Sequence, residues 1–206
     1  MIVLGVVGGI ASGKSLVSRR LQQFGAHVLD ADGIGHQVLH EPEVERAIRR
    51  RWGDRVFDAS GGVDRAKLAA IVFGGLPDNR EELNHLEQLT HPGISLSLRD
   101  TMTRLARTDA DAVLVLDAAL LLEAGWDQLC DKILFVDAPR RIRLQRAVQR
   151  GWTEADFDAR EAAQASVESK RLRANIVIDN SSTPEHTYEQ LESVWRQLVA
   201  EKAEPC

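Results

Sequence analysis

The sequence predicts an α/β fold, a doubly wound parallel five-stranded sheet of the P-loop NTPase type carrying a helical insertion and a second helical excursion. Three observations point there. Five short apolar, β-branched runs stand out, Ile2 to Val7, His27 to Leu29, Ala112 to Leu116, Lys132 to Val136 and Asn175 to Ile178. They are apolar on consecutive residues, as strands covered on both faces are, and helical patterns separate them. The third observation is the text GGIASGKS, residues 8–15, directly after the first run.

Taken in order, the first run and its glycine-rich loop lead into a helical pattern from Ser15 to Phe24. The second run ends on Asp30-Ala31-Asp32. About 80 residues rich in helix formers follow before the third run, with turn signals at Ser60-Gly61-Gly62, Gly74-Gly75 and Leu76-Pro77-Asp78. The fourth run closes on Asp137-Ala138-Pro139, where proline suits the first turn of a helix. A basic excursion over 139–173 follows, and the tail from Glu201 to Cys206 is expected to fray. The division is therefore a core of residues 1–32, 112–138 and 174–200, an insertion over 33–111 and a lid-like excursion over 139–173.

Composition narrows the function classes. At 206 residues, 44% hydrophobic and 28% charged, the chain is long enough for one α/β core with appendages. A net charge of −5 offers no footprint for non-specific nucleic-acid binding, so any polyanion must meet a local cationic site. Cys130 and Cys206 have neither metal-ligand spacing nor the density of a disulfide scaffold. With no signal-peptide pattern and no long apolar window, a cytoplasmic location without membrane contact is expected.

Gly8-x-x-x-x-Gly13-Lys14-Ser15 matches the P-loop pattern, in the strand-loop-helix context the pattern requires. Glycines let successive N–H groups approach phosphate oxygens, and the helix N-terminus adds a favourable dipole. ATP is thus expected along Gly9, Ile10, Ala11, Ser12, Gly13, Lys14, Ser15 and Leu16, with Lys14 reaching the β and γ phosphates and the Ser15 hydroxyl on Mg²⁺. No lysine sits in an Asn/Thr-Lys-x-Asp guanine-reading motif. Asp117 closes the third run in the manner of a metal-ordering Walker-B acid, so Ser15 and Asp117 form the candidate metal set.

Asp30 and Asp32, in extended chain, project to one side at the carboxyl edge of the sheet, where ligands bind in open α/β folds. A carboxylate there can take the proton of an attacking hydroxyl. In PRRIRLQRAVQR the helical period groups Leu144, Ala147 and Val148 as an apolar stripe and Arg143, Arg146 and Arg150 on another face. Those guanidiniums are either a solvated basic face or a lid over the triphosphate.

The combination is more specific than its parts. GGIASGKS is followed by Asp30-Ala31-Asp32-x-x-x-His36, Val63-Asp64-Arg65 with Leu68, Val72 and Phe73, and His91-Pro92. Then come Asp117-x-x-Leu120-Leu121-x-Glu123, Val136-Asp137-Ala138-Pro139, Arg146 and Arg150, Gln164, Lys170 and Val177-Ile178-Asp179-Asn180. In this order the motifs resemble those of the dephospho-coenzyme A kinases up to about residue 198. The resemblance implies phosphorylation of the ribose 3′-hydroxyl of dephospho-CoA by ATP, giving CoA and ADP. It implies Asp32 as the catalytic base, with Lys14, Arg146 and Arg150 as catalytic cations and Asn180 near the adenine. His36, His91, Asp117 and Leu120 are its implied acceptor-side residues, and the 33–111 insertion its CoA-binding part. Monomers or a weak homo-oligomer are expected.

Ala11 stands where the family usually has glycine, and Arg143 where glutamine is frequent. Another small acceptor, such as a nucleoside or sugar, remains open on the same core, as does a nucleotide-binding protein without phosphoryl transfer.

Overall fold

The computed structural model describes residues 1–72 and 79–203. The turn signals at Gly74-Gly75 and Leu76-Pro77-Asp78, the motif residue Phe73 and the last three residues lie outside them. Two compact units form, one of Met1–Asp30 with the chain from Met102 onward, the other of Ala31–Thr101.

The first unit holds the sheet. Its strands are β1 (Ile2–Gly8), β2 (His27–Asp30), β3 (Val113–Asp117), β4 (Lys132–Asp137) and β5 (Ile176–Asp179), all parallel in the order β2-β3-β1-β4-β5. The consecutive apolar residues that predicted the strands are the ones that vanish from solvent: Leu4, Val6, Val115, Leu134 and Phe135 are fully buried. Around them α1 (Lys14–Gln23) and α9 (Pro184–Ala203) contribute Val17, Leu21, Leu191 and Leu198 to one core. The stretch from Glu201, expected to fray, thus continues α9 as far as Ala203.

Strand register aligns the carboxyl ends. Asp30 lies opposite Asp117, Val6 opposite Asp117, Gly8 opposite Val136, and Asp137 opposite Asp179. Four of the five strands therefore end on aspartate at one edge, with the P-loop rising from the central one. The strand order turns in opposite directions on the two sides of β1, the place where open α/β sheets gather ligands.

The excursion over 139–173 folds as α6 (Arg140–Gln149), α7 (Glu154–Ala162) and α8 (Val167–Leu172) inside the first unit. A capping box starts α7, with Thr153 Oγ1 accepting from the Asp156 N–H at 3.1 Å. The expected apolar stripe of α6 does not form as read. Arg143 and Ala147 are buried, whereas Val148 is 55% exposed. Periodicity identifies a face but not whether a long polar side chain will carry it inward, and Arg143 does so because it finds partners at its tip.

The second unit comprises α2 (Ala31–Val38), α3 (Pro42–Trp52), α4 (Arg65–Val72) and α5 (Asn79–Thr108) up to Thr101. Its buried set includes Val38, Ile48, Trp52, Val56, Leu68 and Leu98. Ser60-Gly61-Gly62 turns as expected, held by Asp58 Oδ1, which accepts from the Ser60 N–H at 2.8 Å and the Ser60 hydroxyl at 2.6 Å. Asp64 caps α4, accepting from the N–H groups of Ala66 and Lys67. Within α5, Pro92 removes a backbone donor from the ladder, leaving the Gln88 carbonyl without its helical partner.

Cys130 is half-buried with its Sγ against Gly5, and burial with Asp127 and Asp131 pushes its thiol up to about 12, so it stays protonated. Among the described residues no helix is long and apolar enough to cross a membrane.

Candidate active site

The P-loop sits between β1 and α1, and its conformation demands the residues it has. Gly13, the N-cap of α1, has φ 105°, and a Cβ there would lie 2.0 Å from Asn180 Nδ2. Ala11 holds φ 58°, the left-handed region that costs a non-glycine residue roughly 1–2 kcal/mol. Among the described residues Ala11 is the non-glycine residue with positive φ, at the position where the family resemblance leads one to expect glycine. Leu16 and Val17 donate to the Gly13 carbonyl, while the first-turn N–H groups of Lys14 and Ser15 have no intrahelical acceptor and are open to an anion.

Lys14 Nζ donates to Asp117 Oδ1 at 3.1 Å, joining the loop to the end of β3, and both side chains are about one-fifth exposed. The other oxygen, Asp117 Oδ2, accepts from the Ser18 hydroxyl at 2.8 Å. Ser18 was not among the expected site residues. Its signal was present, because it lies one helical turn beyond Lys14 on the same face of α1. Ser15, the other candidate metal ligand, is exposed at the helix start, and Leu16 behind it is partly buried.

Three side chains brace the loop from behind. Arg146 donates to the Ser12 carbonyl at 3.0 Å and to the Asn180 carbonyl at 2.8 Å. Asn180 Nδ2 donates to the same Ser12 carbonyl at 2.6 Å, and Asn180 Oδ1 accepts from Thr187 Oγ1. Arg143, 4% exposed, donates to the carbonyls of Ala138 and Ile10 and pairs with Glu161 of α7. A Cβ on Gly9 would lie 2.7 Å from the Arg143 guanidinium, so this glycine is required by close approach. Burial lowers the pKa of Arg146, and Arg150 adds to the drop. Arg150 itself is exposed at the C-terminal end of α6.

The brace can be tested directly. Gly13→Ala should abolish ATP binding, because the added methyl meets Asn180 at 2.0 Å and displaces the loop. Isothermal titration should find no ATP affinity; near-normal affinity would show that the brace is dispensable.

These features point to a nucleotide kinase core, and sequence comparison narrows it further. The dephospho-CoA kinase family model matches residues 2–185. The chain belongs to the dephospho-CoA kinase family. It is 35% identical to the dephospho-CoA kinase of Aquifex aeolicus over 95% of this chain and 97% of that one. To the enzyme of Carboxydothermus hydrogenoformans it is 40% identical, over 92% and 90%. Among solved structures, the dephospho-CoA kinase from Campylobacter jejuni superposes with a TM-score of 0.73, at 24% identity, over 97% and 98% of the chains, a likeness of fold. Members of this family are ATP-dependent kinases, and this chain is an enzyme of that kind.

Of the remaining expected residues, Leu120 belongs to the first unit, and Asp32, His36 and His91 to the second. Leu120, partly buried, follows Asp117 by three residues. Asp32 lies in the first turn of α2 and is exposed. Extended chain ends at Asp30, so the same-side argument for Asp30 and Asp32 does not hold. His36 lies in the last turn of α2. His91 lines an open cleft of ≈ 540 Å³ along α5 with Asn84, Glu87, Gln88, Pro92 and Ser95. Burial pushes the His91 imidazole down from its ordinary value, with Glu87 opposing, so the ring is neutral at pH 7.

Proposed function

We propose that this kinase transfers the γ-phosphate of ATP to the ribose 3′-hydroxyl of dephospho-CoA, releasing CoA and ADP. The observation that carries the reading is the Lys14–Asp117 pair at the mouth of the P-loop, in a chain whose motifs and relatives are those of dephospho-CoA kinases. Lys14 then binds the β and γ phosphates, with the open N–H groups of Lys14 and Ser15 cradling them. Arg146 and Asn180, which each donate to the Ser12 carbonyl, keep the loop in shape beside the nucleotide. Arg150, exposed at the end of α6, serves as a further cation for the phosphates.

Mg²⁺ fits the donor set. Ser15 and Asp117 offer two hard oxygens, and no cluster of three or more His, Cys, Asp or Glu side chains suited to a metal occurs among the described residues. Mg²⁺ is commonly held this way, by one or two protein oxygens with substrate phosphates and water completing the shell. When bound it supplies neutralisation of phosphate charge.

Asp32 accepts the proton of the 3′-hydroxyl as the new O–P bond forms and the bond to the ADP oxygen breaks. The unit 31–101 holds the acceptor, with His36 and the polar cleft at His91 contributing. Residues 139–173 act as a lid that excludes water from the γ-phosphate, and Leu120 lies on the acceptor side. The chain works in the cytoplasm as a monomer or weak homo-oligomer, without nucleic acid or membrane.

The test is turnover. With ATP and Mg²⁺ the purified protein should convert dephospho-CoA to CoA, detected by mass spectrometry. Folded, ATP-binding protein that makes no CoA while phosphorylating a nucleoside or sugar would move the chain to another acceptor.

A further inference from the structure

Glu123 comes from one stretch of the sequence and Gln164 and Lys170, six residues apart, from another, and the phosphate cradle described above uses none of them. In the first unit they meet. Lys170 lies on α8 and is only 2% exposed. Its ammonium donates to Gln164 Oε1 at 2.8 Å and pairs with Glu123 at 3.3 Å. Glu123 Oε1 also accepts from the Ala165 N–H at 2.7 Å, so one carboxylate holds both the cation and the turn that leads into α8.

A buried ammonium is expensive, and an apolar side chain of similar length would fill the same space without that cost. Its surroundings suggest what the cost secures. Val167 and Lys170, three apart, share a face of α8. Val167 Cγ2 lies 3.0 Å from where a Cβ on Gly9 would stand, so that face rests on the P-loop. Burial lowers the Lys170 pKa, Glu123 opposes the drop, and the Lys14 ammonium adds to it. Lys14 and Lys170 are therefore within electrostatic reach of each other, each with its own acid, Asp117 and Glu123, from the segment that ends and follows β3. Gln164 and Glu123 hold the ammonium directly, and Glu161 adds a further negative charge near it. The two ammoniums carry like charge, and the face of α8 that bears Lys170 rests on the loop.

We propose that Lys170 is a second phosphate-directed cation of the P-loop, presented by α8 and positioned by Glu123 and Gln164. This assignment rests on the phosphotransferase reading of the loop. It gives α8 a function beyond cover, because the helix carries a charge to the same phosphates that Lys14 binds.

Calorimetric titration of the full chain with ATP and with inorganic tripolyphosphate, which has the charge but no base, tests it. Lys170→Met should weaken both ligands by about tenfold, the scale of one hydrogen bond to a charged group. The KM for dephospho-CoA should stay unchanged, and Lys170→Arg should recover most of the loss. Glu123→Gln keeps an acceptor for the Ala165 N–H but removes the balancing charge, so it should tighten tripolyphosphate. A purely structural clamp predicts the opposite, since loosening α8 would weaken binding. Unchanged tripolyphosphate affinity in folded Lys170→Met, or weaker affinity in Glu123→Gln, overturns the assignment. Should Lys170→Met not fold, the Glu123→Gln and Lys170→Arg arms decide it. If the unaltered protein binds neither ligand, the P-loop reading fails as well, which separates the two failures.

Discussion

Lys14→Met should lower kcat/KM by about 10³, the upper end of what removing one transition-state donor costs in comparable sites. The charge of Lys14 serves two partners in turn. Its ammonium pairs with Asp117 Oδ1 at 3.1 Å, and in the proposed reaction it is the cation for the β and γ phosphates. Methionine preserves the length and most of the packing but provides neither. The fold should survive, because the pair is partly solvated and such pairs contribute at most about 1 kcal/mol. Asp117 keeps the Ser18 hydroxyl as a partner. The expected result is a melting temperature within about 4 °C of the unaltered protein together with near-complete loss of turnover, since roughly 2–4 °C accompanies each kcal/mol at this size. A variant that retains a tenth or more of its activity would show that Lys170 or Arg150 carries the phosphate charge instead.

Asp32→Asn should lower kcat by about 10²–10⁴ while leaving ATP affinity intact, the usual contribution of a positioned base. The substitution keeps shape and hydrogen bonding but cannot take up a proton. Asp32 is exposed in the first turn of α2, where asparagine is also tolerated, so a folding defect is not expected. Asp30→Asn is the informative comparison. Asp30 ends β2 opposite Asp117, the position at which an edge-of-sheet carboxylate would otherwise be the natural candidate. Normal turnover in the Asp32 variant with collapse in the Asp30 variant would transfer the role.

The two aspartates also show how far local pattern reaches. Both were found by reading the chain as a strand closing on Asp-Ala-Asp, yet the strand stops at Asp30 and a helix begins at Ala31. Two-residue spacing carried a geometry that held only if the chain stayed extended. The arginine helix repeats the lesson. Its start after Pro139 and its period were legible, but Arg143, read as part of a solvated or lid face, is buried against Ile10 and Glu161. Val148, read as part of the apolar stripe, is exposed. A helical wheel ranks side chains by polarity, whereas burial depends on what lies opposite.

What the sequence determined by itself was whatever is written within one strand-loop-helix unit. Five apolar runs became five parallel strands, with Gly13 as the N-cap of α1 and Lys14 and Ser15 in its first turn. Such features depend on backbone sterics and on burial of contiguous apolar residues, both local. The tertiary structure alone decided the pairing of charges. Lys14 meets an acid 103 residues away, Arg146 a carbonyl 134 residues away, and Lys170 the glutamate that follows β3. Those partners follow from strand order, and strands apolar on both faces do not encode their neighbours.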